Sequence, residues 1–111
     1  MVSYFTTVEK RKPSLNLEAI KSAFSNVEKL RATGTAIRGA ASLGFGRTEI
    51  VGTIQTMQVR HFYKSMTAYN DHRARQDVYH VPSPAGILYV KLSGDGLSEF
   101  LLLSFKEKGD D

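Results

Sequence analysis

Leu17, Ile20, Phe24 and Val27 recur at helical spacing and make one apolar stripe, which predicts a first helix. Pro13 with Ser14 or Asn16 supplies its start, and Glu18 falls in the first turn, where the helix dipole favours an acid. Lys29–Thr33 fits a short strand. Thr35 then caps a second helix built on Ala36, Ile37, Ala40 and Leu43 and closed by Gly44. Gly39 inside it costs about 1 kcal/mol relative to alanine, so packing has to hold that helix. Ile50, Val51, Ile54 and Met57 follow, started by Thr48 and Glu49, and Val59, Phe62, Tyr63 and Met66 repeat the period. The pattern predicts one broken helix, or two in succession, from Arg47 to Met66. Phe62 would face inward, Lys64 and Ser65 outward, with Tyr63 and Met66 at the boundary.

Beyond Met66 the period changes to two. Gln76–Val81 reads as a strand of mixed faces, ended by Pro82-Ser83-Pro84. Ile87–Ser93 is cleaner, with Leu88, Val90 and Leu92 on one face and Ile87, Tyr89 and Lys91 on the other. Gly94-Asp95-Gly96 has hairpin chemistry. Phe100–Lys106 alternates Leu101, Leu103 and Phe105 against Phe100, Leu102, Ser104 and Lys106, apolar on both faces at its start, as a central strand would be. Helices first and strands last predict an α+β domain, its helices on one face of an antiparallel sheet formed mainly by the C-terminal half. A two-residue loop at Asp95-Gly96, or a four-residue loop Asp95–Ser98, puts Tyr89 and Lys106 on one face, four or two residues out of line. That face is expected to lie opposite Leu88, Val90, Leu101 and Leu103.

Composition narrows the class. At 111 residues the chain reads as one domain, 1–111, with residues 1–12 as a solubilising arm. It has no cysteine, which removes disulfides and thiolate metal sites, no two histidines fall at ligand spacing, and no acidic cluster accompanies them. No apolar run reaches the ~18–20 residues of a membrane helix, and MVSYFTTVEKRKP lacks a signal-peptide centre. Gly44-Phe45-Gly46 lacks the lysine and preceding strand of a phosphate loop. The expectation is a cytoplasmic protein without membrane contact, metal or cofactor.

The charge is +4, and its placement says more than its size. Phe62–Tyr79, FYKSMTAYNDHRARQDVY, sets Lys64, His72, Arg73 and Arg75 among Tyr63, Tyr69 and Tyr79, with Tyr89 beyond. Aromatic rings stack on bases and cations hold phosphates, so the run suits single-stranded nucleic acid. It also suits a solvated helix end followed by an amphipathic strand with half-buried tyrosines. Metal-free RNA cleavage needs a base for the ribose 2′-OH, an acid for the leaving 5′-oxygen, and cations for the transition state. Histidine titrates near neutrality, and His72 is the one to watch of His61, His72 and His80. His61 reads as an exposed helix residue.

FYKSMTAYNDH, QDVY, LYVK at Leu88–Lys91 and SFKEK at Ser104–Lys108, with weaker matches at Glu9–Pro13 and Leu43–Gly44, resemble the MqsR family of motility quorum-sensing regulator toxins. The likeness runs from about Glu9 to Lys108. It implies a RelE-like fold and the toxin of a type II toxin–antitoxin pair, a metal-independent, sequence-selective endoribonuclease. Its substrate would be mRNA, and an MqsA-like antitoxin protein would hold it inactive. The family's lysine, glutamine, tyrosine and second lysine fall on Lys64, Gln76, Tyr89 and Lys106, with Tyr63 and Met66 helping to hold RNA. A lysine crowded by cations loses its proton more easily and can act as acid or base, while another neutralises phosphate. His72, Arg73 and Arg75 would add RNA contacts. Arg75 stands where an aromatic residue is expected in the family, and Gly94–Ser98 has its own sequence, so base preference is the property these differences touch. A non-catalytic RNA- or DNA-binding module is the alternative, and salt-sensitive binding without cleavage would mark it. A third reading is an interacting subunit whose basic face meets an acidic partner.

Overall fold

A computed structural model of the chain describes residues 7–68, 71–95 and 98–109, with the side chains of 7–10, 68 and 71–74 outside that description. The elements run β1 (Thr7–Lys10), α1 (Leu17–Ala23), α2 (Gly34–Ser42), α3 (Arg47–Thr56), β2 (Phe62–Ala68), β3 (Asp71–Ser83), β4 (Gly86–Gly94) and β5 (Phe100–Glu107). Short 3-10 turns at Val27–Lys29 and Val59–His61 connect them. The five strands form one antiparallel sheet in chain order. The core joins Ile20, Phe24, Ala36, Ala40, Ile50, Ile54 and Met57 of the helical half to Tyr79, Val81, Leu88, Val90, Leu92, Leu102 and Phe105 of the sheet. The helices therefore cover one face of the sheet, as the order of periods predicts.

Several expectations are corrected. Asn16 caps α1 through its side chain, but the helix ends at Ala23, and Val27 lies beyond it, 38% exposed. Thr33, not Thr35, caps α2, accepting from the Ala36 amide while its hydroxyl donates to the Leu103 carbonyl. Lys29–Thr33 is not a strand, although Ala32 makes one parallel bridge to Leu102, so β5 ends the sheet's strand order and is not central. Residues 7–10 of the expected arm pair with β2 as the first strand. Gly39 has a reason beyond propensity: a Cβ there would lie 2.4 Å from the Phe105 carbonyl oxygen, where α2 presses on β5.

The largest correction concerns Phe62–Met66, which is strand and not helix. Helical and strand periods compete over so short a run, and here cross-strand pairing prevails. Phe62 does face the core, edge-on to Tyr79 at 5.6 Å between ring centroids. Ser65, expected outside, is wholly buried beside Asp77.

Tyr79 is buried and its hydroxyl has no hydrogen-bond partner among the described residues. Burial, with the Asp77 carboxylate adding to it, pushes its hydroxyl up to about 12. In the unfolded chain the same group titrates near 10. Above that pH the unfolded state gives up a proton that the folded state keeps, so stability is full below pH 10 and falls as pH climbs to about 12. The loss should approach about 2–3 kcal/mol. Urea unfolding measured from pH 9 to 12 should record this fall in the wild type and lack it in Tyr79→Phe.

Candidate active site

The sheet face away from the helices carries the candidate residues, and two one-residue bulges determine which they are. In β2, Phe62 pairs with Tyr79, but the next partners are Lys64 and Val78, leaving Tyr63 as the extra residue. Unbroken alternation from Phe62 would turn Lys64 toward the core. The bulge turns it outward. In β5, Phe100, Leu101 and Leu102 pair with Gly94, Ser93 and Leu92, then Ser104, Phe105 and Lys106 pair with Lys91, Val90 and Tyr89, with Leu103 extra. The connection is the five residues Asp95–Glu99, longer than either expected loop. A loop of that parity alone would set Tyr89 and Lys106 on opposite faces, and the bulge at Leu103 restores them to one. They stand directly opposite each other. Leu101 and Leu103, expected in the core, are only partly buried, while Phe100, Leu102 and Phe105 take the core side.

Three rows cross the open face. Met66, Gln76, Ser93 and Leu101 form the first. Lys64, Val78, Lys91 and Ser104 form the second, in which Val78 is wholly buried outside the helix-side core. Tyr63, His80, Tyr89 and Lys106 form the third. There the Tyr63 and His80 rings stack at 4.1 Å and 22°, and the Tyr89 ring lies 6.2 Å beyond His80. Lys64 Nζ lies 5.5 Å from the Tyr63 centroid and Lys106 Nζ 5.2 Å from that of Tyr89. A cation thus sits at each end of three adjoining rings. Gln76 is two rows from Tyr89, about 13 Å along the sheet at 3.3 Å per residue, further than one phosphate reaches.

His80 was not among the residues the sequence singled out. Its imidazole is held toward the neutral form by burial and by the nearby charge of Lys108. The signal lay in its spacing of four from Gln76 on a period-two strand, masked by the mixed faces of Gln76–Val81. Arg75 alternates with Asp77 and so lies on the side opposite Gln76. The side chains of His72 and Arg73 lie outside the described residues. His61 belongs to a 3-10 turn, where its Nδ1 accepts from the Gln58 amide at 3.0 Å. Among the described residues no three His, Cys, Asp or Glu side chains group as metal ligands, and no helix is long and apolar enough to cross a membrane.

The chemistry of this face is that of an anion site. Amines stand over phenol rings, with a hydroxyl, an amide and an imidazole within the same three rows. Residues 12–107 match the family model described as "Motility quorum-sensing regulator, toxin of MqsA". Over 101 residues the chain is 36% identical to the mRNA interferase toxin MqsR of Escherichia coli strain K12, an alignment covering 91% of this chain and all of that protein. With nearly its whole length matched, this chain belongs to the motility quorum-sensing regulator family of toxins.

Proposed function

We propose that the protein is an endoribonuclease toxin that cleaves mRNA on the open face of its sheet, without a metal ion. The observation that carries this reading is the direct opposition of Tyr89 and Lys106, ringed by Tyr63, His80 and Lys64. Lys64 and Lys106 neutralise the phosphate as it gains charge in the transition state. A basic nitrogen takes the 2′-OH proton, and this face offers the amines of Lys64 and Lys106 and the imidazole of His80. The 2′-oxygen attacks phosphorus, the bond from phosphorus to the 5′-oxygen breaks, and that oxygen is protonated. The products are a 2′,3′-cyclic phosphate and a free 5′-hydroxyl. The Tyr89 hydroxyl can donate to a phosphate oxygen or the leaving group. Gln76, two rows away, serves a nucleotide further along the strand. The family description and the name of the E. coli relative support this assignment, as does the placement of all four candidates on one face. An MqsA-like antitoxin would hold the toxin inactive, its acidic groups meeting the basic face.

Incubating pure protein with a mixed-sequence RNA in excess EDTA and mapping both ends tests the reading. Cleavage should continue and leave cyclic phosphate and 5′-hydroxyl ends. Activity that vanishes with chelation and returns with Mg²⁺ would overturn the metal-free mechanism. Salt-sensitive binding with no cut would leave a binding module.

A further inference from the structure

Beside Gln76, on the far side from Tyr89 and Lys106, the open face dips into a pocket of about 430 Å³. Leu101 and Leu103 line it, together with Gln76, Ser93 and Arg31. Resting on the ribonuclease reading, we propose that this pocket seats one nucleobase of the RNA near the cleaved phosphate. Its edge is read by the Arg31 guanidinium and the Gln76 amide, making these two residues determinants of cleavage specificity.

Four features carry the proposal. The first is the lining. The Leu103 bulge leaves two leucines part-exposed beside the polar Gln76 and Ser93. Apolar surface left in water costs roughly 25 cal/mol per Å², and a flat base laid on it recovers that cost. The second is the polar set. Gln76 offers a donor and an acceptor, Ser93 a hydroxyl, and arginine a planar fork of donors suited to two acceptors on a base edge. The third is the anchoring of Arg31. Its carbonyl accepts from the Leu102 amide at 2.9 Å, and Thr33 N donates to the Leu102 carbonyl at 3.0 Å. The segment is tied to β5 beside the pocket rather than loose on the surface. The fourth is Gly94 at the wall. A Cβ there would lie 2.4 Å from the Glu99 carbonyl oxygen and 2.7 Å from the Phe100 ring, so the loop can close here only on a glycine. Asp95 serves as wall rather than ligand, since its carboxylate accepts from Ser98 N, Ser98 Oγ and Glu99 N. The pocket lies two rows from the Tyr89–Lys106 pair, about 13 Å along the sheet, a distance that about two nucleotide steps of a bound strand cover.

The test maps cleavage ends on a random-sequence RNA pool for the wild type, Arg31→Ala and Arg31→Lys. Arg31 is exposed, and unchanged thermal melts would confirm that both variants fold. Arg31→Ala should slow cleavage at the preferred site about tenfold, as expected for one base contact. It should also flatten base preference at a single position near the cut and leave the other positions as they were. Arg31→Lys keeps the charge and loses the fork, so it should recover part of the rate without the preference. A uniform loss over all sequences, recovered fully by lysine, would make Arg31 a plain phosphate contact and overturn the proposal. So would wild-type preferences in Arg31→Ala. If the wild type cuts no RNA, the ribonuclease reading fails on its own. The pocket is then judged by fluorescence binding of four homopolymer tetranucleotides. A base preference lost in Arg31→Ala would keep it, and equal binding of all four or none would end it.

Discussion

Replacing Lys106 with alanine is expected to lower RNA cleavage by about 100-fold or more, the scale of losing one transition-state charge contact or one proton-transfer group. Tyr89→Phe should lose a comparable factor if its hydroxyl, rather than its ring, does the work. Both side chains lie outside the helix-side core, so unfolding free energies should stay within about 0.5 kcal/mol of the wild type. Lys64→Ala should resemble Lys106→Ala, because both amines bracket the same row of rings. Single-turnover kinetics on a short RNA containing one preferred site, alongside binding measured separately, gives the readout. Losses confined to binding would reduce the lysines to phosphate anchors. Undiminished rates in all three variants would remove the open face from the chemistry. Lys106→Arg is informative as well, because it keeps the charge but cannot give up a proton in water's pH range. Retained activity there would assign Lys106 to charge neutralisation, and lost activity to proton transfer.

The sequence made the helical half legible through Ile20, Ile50 and Ile54, whose spacing falls on buried helix faces. It also made β4 legible, since Leu88, Val90 and Leu92 alternate without interruption and are all wholly buried. It failed at the bulges. An inserted residue changes the parity of everything beyond it, and nothing in FYKSM or LLLSF marks Tyr63 or Leu103 as extra. Strict alternation through Phe100–Lys106 therefore put Leu101 and Leu103 inside, and helical spacing absorbed Phe62–Met66. The same two bulges turn Lys64 and Lys106 toward the open face. The places where local pattern reading broke down are those where the chain departs from regular pairing to aim a side chain. The four residues carried over from the family pattern nevertheless fall on one face, because motif matching does not depend on register. His80 and Arg31 lie outside those motifs, and only strand pairing brings them to the site.

Asp77→Ala should be the most damaging single change to the fold, at about 2–4 kcal/mol. The residue is wholly buried in mid-sheet, next to Gln76. Its Oδ1 accepts from Ser14 N at 3.1 Å, and its Oδ2 accepts from Ser14 N at 3.0 Å and Leu15 N at 2.9 Å. Ser14 Oγ is also 2.6 Å from Ser65 Oγ, and Leu15 is buried in the core. One carboxylate thus ties the segment leading into α1 to the centre of the sheet, 62 or 63 residues away along the chain. Alanine would strip one buried and one part-buried amide of their acceptor, and an orphaned buried donor bears its full desolvation cost. Asn should recover part of the loss, since one carbonyl oxygen remains to accept, although its amide brings donors that the two backbone N–H groups cannot satisfy. Urea denaturation should therefore rank the proteins as wild type, then Asp77→Asn, then Asp77→Ala, with unchanged slopes. Cleavage per folded molecule, measured in the cold where Asp77→Ala remains native, should stay near the wild-type value, because Asp77 faces the helices and Gln76 the open side of the sheet. A cleavage defect that persists in the fully folded variant would instead place Asp77 among the residues that set the geometry of the open face.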